Sequence, residues 1–123
     1  MKILVVEDQD AIRRMIEALV SARGHRVSSA SNGAQALEAA LASPPDAVLL
    51  DINLPGSLDG IEICRRLRAD VATSAVPIVM ISAMDDSETR RTATEAGATA
   101  YFSKPFSPMA LLKEIDGIEA RRR

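Results

Sequence analysis

The chain predicts an α/β domain built on a doubly wound, five-stranded parallel sheet with five helices. Its apolar residues arrive in five short runs, and three of these are nearly continuous rather than alternating. Unbroken aliphatic runs suit strands buried on both faces, the situation inside a parallel sheet. Between the runs lie segments whose apolar residues recur at three- and four-residue spacing, the period of an amphipathic helix.

The elements follow in order. Ile3-Leu4-Val5-Val6 forms the first strand and ends in Glu7-Asp8. Ile12, Met15, Ile16, Leu19 and Val20 make the apolar face of the first helix, with Gly24 as its stop. His25 follows in a turn and is expected at the surface. Val27-Ser28-Ser29-Ala30 is polar at alternate positions and reads as an edge strand. Asn32 with Gln35 is a capping box for a second helix, whose apolar face carries Leu37 and Leu41. The run from Ala47 to Leu50 is pure hydrocarbon and delivers Asp51. Asp59 with Glu62 caps a third helix bearing Ile63, Cys64 and Leu67. The run from Val76 to Ile81 is the fourth strand and leads into Ser82. Asp85 with Glu88 is a capping box for the fourth helix, over 86–96. That segment offers only Ala93 and Ala96 for burial, so it should be the loosest helix. Ala100-Tyr101-Phe102 is the fifth strand and runs into Lys104. Ser107-Pro108 caps a fifth helix carrying Leu111, Leu112, Ile115 and Ile118. The domain is expected to span 1–120, with the basic tail 121–123 fraying.

Composition narrows the function. A length of 123 residues suits one domain, and 47% apolar content is enough for a core. Aromatics make up 2%, so that core must be aliphatic. A net charge of −2 with 26% charged residues makes no electrostatic case for nucleic acid. The single cysteine, Cys64, lies on an apolar helix face; it excludes an internal disulfide framework and fits a reducing compartment. No apolar stretch approaches membrane-spanning length, and the apolar start is too short for a signal-peptide core. A cytoplasmic setting is the expectation.

Alternating strands and helices with right-handed crossovers suggest the flavodoxin-like strand order 2-1-3-4-5. Ligands of such sheets bind beyond the carboxyl ends of the strands, where the strand order reverses. There the first strand ends in Glu7-Asp8, the third in Asp51, the fourth in Ser82, and the fifth leads to Lys104. Like charges about 4 Å apart repel by about 4 kcal/mol at an effective dielectric near 20. Such a cluster is kept when a cation neutralises it or when one acid must react. Oxygen ligands point to Mg²⁺ or a similar hard ion. A carboxylate beside a divalent metal and a lysine is placed to attack a phosphoryl group, and the Ser82 hydroxyl could donate to one of its oxygens. Taken singly, each residue has a plainer reading. Glu7-Asp8 or Asp10 could cap a helix, Asp51 could form a turn, and Lys104 could be a solvated lysine. The ordered set carries the inference.

That set resembles the response-regulator receiver (CheY-like) family. It comprises Glu7-Asp8, Asp51, Ser82 with Ala83, and Lys104-Pro105 with Tyr101 three residues earlier, and the likeness covers roughly residues 2 to 118. The resemblance implies that Asp51 accepts a phosphoryl group from a histidine kinase or histidine phosphotransfer protein. It implies Mg²⁺ (or Mn²⁺) held by Asp8, Asp51 and the Asn53 backbone carbonyl, with Glu7 acting through a metal-bound water. Lys104 would pair with the phosphoryl oxygens. Ser82 would move to the phosphoryl group and Tyr101 would change rotamer with it. The Lys104–Pro105 bond is expected to be cis. A partner would read the face formed by the fourth helix, fifth strand and fifth helix. The output would be a downstream protein target or an output domain missing here, with a phosphorylation-dependent dimer open; no direct nucleic-acid or membrane contact is implied. The domain would be a signalling module that assists its own phosphorylation and dephosphorylation, not an enzyme.

Other classes fit less well. A hydrolase with an aspartyl-phosphate intermediate, resembling the haloacid dehalogenase group, needs an acid two residues after the nucleophile, where Asn53 stands. Flavin or nucleotide binding needs hydroxyls and glycine in the first loop, which here reads EDQDAIRR. A receiver-shaped interaction module without phosphorylation would not need the full reactive set. Two departures from the family pattern stand out. Met84, two residues after Ser82, can shield a phosphoryl group but positions water poorly, which implies a long-lived modified state. Many receivers place glycine eight residues after the acceptor; here Pro55 is four after Asp51 but Gly60 is nine after it. One residue is therefore inserted in Gly56-Ser57-Leu58, on the rim of the site.

Overall fold

The computed structural model describes residues 1–122. In chain order the elements are β1 (Lys2–Val6), α1 (Asp10–Ala22), β2 (Arg26–Ala30), α2 (Gly33–Ala42), β3 (Ala47–Asp51), α3 (Gly60–Ala69), β4 (Ile78–Ser82), α4 (Ser87–Ala96), β5 (Ala100–Ser103) and α5 (Pro108–Arg121). The strands form one parallel sheet in the order β2-β1-β3-β4-β5. The predicted fold class and strand order are those observed.

Successive side chains of the central strands go to opposite layers, which is why their sequences are apolar throughout. Leu4, Val6, Val48, Leu50, Ile78 and Met80 face α2, α3 and α4. Ile3, Val5, Ala47, Leu49, Val79 and Ile81 face α1 and α5, meeting Ile16, Val20, Leu111, Ile115 and Ile118. The strand ends align: Val6 pairs with Leu50, Asp51 with Ile81, and Ser82 with Ser103. That register brings the chain after each strand to one rim of the sheet. No helix among the described residues is long and apolar enough to cross a membrane.

Four details differ from the sequence expectations. Met15 and Leu41 are exposed, and α2 buries Gly33, Ala36 and Ala40 instead, because close packing on the sheet favours its small face. His25 is buried, with Nδ1 2.9 Å from the Met1 amino group. The side chain capping α4 is Asp86, which accepts from the Thr89 amide at 3.1 Å, while Asp85 pairs with Arg90 at 2.6 Å. The tail expected to fray begins inside α5, and Arg122 pairs with Asp46 at 2.9 Å; Arg123 lies outside the described residues. The other caps hold: Asn32 accepts from the Gln35 amide, Asp59 from Glu62 and Ser107 from Ala110. The Lys104–Pro105 bond is cis.

The light anchoring expected of α4 is observed. Its buried side chains are Ala93 and Ala96, against four aliphatics in α5. A buried methyl contributes about 0.8 kcal/mol and a buried leucine or isoleucine about 1.5–3 kcal/mol. The C-terminal end has additional hold from α3. Arg68 of α3 donates from Nε and Nη2 to the Gly97 carbonyl at 3.0 and 2.8 Å, and Cys64 Sγ donates to the Ala96 carbonyl at 3.3 Å.

Gly60 starts α3 against the end of β3. A Cβ there would lie 2.3 Å from the Asp51 carbonyl oxygen and 2.7 Å from Ile52 Cα, both backbone atoms that cannot swing aside. Gly60→Ala should destabilise the domain by about 1–3 kcal/mol. A urea unfolding curve with its midpoint moved down at unchanged slope is the expected result.

Candidate functional site

The aligned strand ends deliver an acidic pair, an aspartate, a serine and a lysine to one rim. Glu7 is 1% exposed and Asp51 3% exposed, while Asp8 faces solvent. The depth follows from the strands: Glu7 and Asp51 directly continue buried aliphatic runs. The Asp51 Oδ1 accepts from the Asn53 amide at 3.1 Å, so the residue also shapes the turn that follows it. Glu7 Oε2 accepts from the Gln9 amide at 3.1 Å, and Arg13 Nη1 donates to the Glu7 backbone carbonyl at 3.1 Å.

Lys104 reaches across from the loop after β5. Its Nζ donates to Glu7 Oε1 at 2.8 Å and to Asp51 Oδ2 at 3.3 Å. One cation therefore bridges two buried carboxylates, and the charge balance stays negative. Burial pushes the Asp51 carboxyl up from 3.8 to about 6, and the Glu7 charge adds to that rise against the pull of Lys104. For Glu7 burial also pushes upward. The Lys104 hydrogen bond, the Gln9 amide and the lysine charge outweigh it and hold Glu7 below its ordinary value. Lys104 is drawn down by burial, yet its bonds and charges shared with Glu7 and Asp51 leave it above its ordinary value. Two acids thus share one lysine unequally, and Asp51 holds its proton more firmly.

Carboxylate oxygens of Glu7, Asp8 and Asp51 lie within 4.8 Å of one another, so the three could hold a metal ion. All are hard oxygen donors, as Mg²⁺ or Mn²⁺ requires. The exposed Asn53 stands two residues beyond Asp51, and no hydrogen bond among the described residues occupies its carbonyl.

Ser82 and Tyr101 are not in contact with the carboxylates through any hydrogen bond. They meet instead around Met84. The fully buried Ser82 Oγ accepts from the Met84 amide at 3.1 Å, and the Tyr101 hydroxyl donates to the Met84 carbonyl. The guanidinium of Arg90 lies 4.6 Å from the centroid of the half-buried Tyr101 ring. Sequence reasoning missed Arg13 and Arg90. Arg13 lies six residues from Glu7 and Arg90 eleven from Tyr101, and arginine on an exposed helix face carries no signal that separates these two from their neighbours.

The longer loop lies beside the start of α2. Its Leu58 packs on the start of α2 so closely that a Cβ on Gly33 would lie 2.7 Å from the Leu58 carbonyl. An open groove of about 420 Å³ remains between Asn32–Ala34 and Pro55–Leu58.

A doubly wound sheet with an acidic cluster and a lysine at its rim is the frame of a signal-receiving module. The chain matches the family model of the response regulator receiver domain over residues 3–116 and belongs to that family. A curated relative from Guillardia theta, named "Probable transcriptional regulator ycf27", is 41% identical over 98% of this chain and 46% of its own length. The phosphate regulon transcriptional regulatory protein PhoB of Pseudomonas aeruginosa is 37% identical over 97% of this chain and 52% of its own length. The chain thus spans about half the length of these relatives. The solved structure of the chemotaxis response regulator CheY4 of Vibrio cholerae superposes with a TM-score of 0.88 at 30% identity, covering 95% of this chain and 97% of that one.

The raised Asp51 has a stability consequence. The folded state holds its proton more tightly than the unfolded state, so this group's contribution to stability falls as pH rises from near 4 to about 6. A shift of this size, with solvent at the mouth screening part of it, leaves about 1–2 kcal/mol. Without divalent cations, Asp51→Asn should be more stable than the wild type by that amount at pH 7.5. Below pH 4 the two urea midpoints should converge.

Proposed function

We propose that the domain is a phosphorylation switch in which Asp51 accepts a phosphoryl group from a histidine kinase or histidine phosphotransfer protein. The observation that carries this reading is a nearly buried aspartate bridged by Lys104 to a second buried acid, beside a third that faces solvent. A purely structural aspartate at a strand end would not need a half-buried lysine shared with another carboxylate. Membership of the receiver family supports the same assignment.

In the proposed reaction an ionised Asp51 oxygen attacks phosphorus. An acyl-phosphate bond forms and the phosphorus–nitrogen bond to the donor imidazole breaks, its electron pair leaving with nitrogen. Lys104 turns from the carboxylates to the phosphoryl oxygens and places positive charge where negative charge accumulates. Ser82 exchanges its bond with the Met84 amide for donation to a phosphoryl oxygen. Tyr101, whose hydroxyl is held by the same Met84 residue, follows by changing rotamer. Asp8, Asp51 and the Asn53 carbonyl would hold Mg²⁺ or Mn²⁺, with Glu7 acting through a water. Once bound, the ion supplies the hard positive charge that offsets the acidic cluster and the transferred phosphoryl group.

The readout surface in this proposal is the α4–β5–α5 face. The modified state is passed to a protein target or to a joined output domain. The greater length of relatives named as transcriptional regulators supports the second arrangement. A phosphorylation-dependent dimer would use the same face. The domain acts as a signalling module, with its own side chains assisting gain and loss of the phosphoryl group.

Incubation with Mg²⁺ and acetyl phosphate or phosphoramidate should add the mass of one phosphoryl group. Asp51→Asn should not gain it; equal gain by that variant would sink the assignment. The loop supplies a separate test. Since Leu58 packs on α2 and not on the carboxylates, deleting Ser57 should change the phosphotransfer rate from a kinase by several-fold while Mg²⁺ affinity stays put. A matched loss of both would show that the loop shapes the metal site.

A further inference from the structure

We infer that Arg90 is a positioning residue for the Asp51 reaction, latching Tyr101 and the free end of α4 in the resting arrangement. The inference rests on the phosphoacceptor reading of Asp51. Its physical basis is the unequal way α4 is held. The C-terminal end buries Ala93 and Ala96, and its last carbonyls accept from Arg68 and Cys64 of α3. The N-terminal half, from Ser87 to Arg91, buries no side chain. Asp86 and Thr89 bond only within that turn. Arg90 is the residue of this half that reaches the sheet. It donates from Nη2 to Ser103 Oγ at 3.4 Å and stacks over Tyr101 at 4.6 Å from the ring centroid. Asp85, one residue before the cap, orients the guanidinium through contacts from Nε and Nη2, both 2.6 Å.

The latch reaches the reactive rim through one short path. Arg90 holds the Tyr101 ring, the Tyr101 hydroxyl holds the Met84 carbonyl, and the Met84 amide occupies the Ser82 hydroxyl oxygen. While this chain is closed, Ser82 stays engaged with the β4–α4 loop. Opening it frees both the loop and the hydroxyl. Because α4 is fixed at its C-terminal end, the free end can swing without disturbing the core. A guanidinium adds planar stacking to the charge attraction that a lysine ammonium also makes with an aromatic face, so Arg and Lys are not equivalent here. Stacking of this kind at an exposed site corresponds to roughly a two- to five-fold change in an equilibrium constant. The rate of a reaction confined to the open form scales with the open fraction.

Arg90 is exposed, so its truncation leaves the core intact. With phosphoramidate and Mg²⁺, Arg90→Ala should take up the phosphoryl group about two- to five-fold faster than wild type. Arg90→Lys should fall between them, keeping the Asp85 pair but losing the stack. In a Tyr101→Ala background, Arg90→Ala should have no further effect. An unchanged or slower rate, or an equal effect in both backgrounds, overturns the latch. In the unmodified protein, the Ser82 and Met84 amides, neither of which bonds to Arg90, should show increased microsecond-to-millisecond exchange by NMR in Arg90→Ala. If the wild type takes no phosphoryl group, the Asp51 reading fails by itself. The two amides then decide the latch alone, and unaltered exchange there rejects it.

Discussion

Two carboxylates lie where little water reaches them, and a single lysine from a distant part of the chain keeps them company. Glu7 and Asp51 end adjacent strands, while Lys104 follows β5, two strands away from β3 in the sheet. The lysine can reach them only if all the strand ends are level, so register across the whole sheet is a condition for the site. Register in turn is specified because each central strand is buried on both faces, where a one-residue slip would exchange the side chains of the two layers. Burying acid has a cost that the aliphatic strands offset, and the cost is what makes Asp51 sensitive to a change in its surroundings.

Stability and responsiveness are distributed unevenly around this cluster. On one side of the sheet, α1 and α5 meet it through bulky aliphatics. On the other, α3 contributes Ile63 and Leu67, while α4 contributes methyl groups alone. The flank beside Ser82 and Tyr101 is therefore fastened mostly by polar contacts, which can be exchanged for others at small net difference. The opposite flank, where Leu58 lies against α2, is packed tightly enough to exclude a Cβ at Gly33. The candidate site has one firm wall and one yielding wall.

Much of this was legible in the residue order. Continuous aliphatic runs in β1, β3 and β4, alternating with helical patterns, point to the interior of a parallel sheet because helices cover both faces of its strands. The residues of the candidate site stand at or just after the strand ends, so locating the strands placed them on one rim. The α2 face was legible only in part: Leu37 packs against the core but Leu41 is exposed, because the sheet admits the smaller Ala36 and Ala40 at close range. His25 was misread because its burial depends on the Met1 amino group, 24 residues away, a contact that local pattern does not encode. Asp85 with Glu88 fits the capping-box spacing, but Asp85 pairs with Arg90 and the neighbouring Asp86 caps the helix instead. The links through Met84 also escaped sequence reasoning, since they run through backbone groups that every residue carries.

The sparse burial of α4 has an evolutionary side. Ten residues form the helix and two of them serve the core. Arg90 apart, which holds Tyr101 and Ser103, the remaining residues are released from packing duty and answer chiefly to helix propensity and to whatever binds them. Substitutions across that surface can accumulate without endangering the fold. If the domain switches as proposed, a lineage could thus change which partner it addresses while the acids and lysine at the rim remain untouched, with new signalling connections arising on the most lightly attached element of the domain.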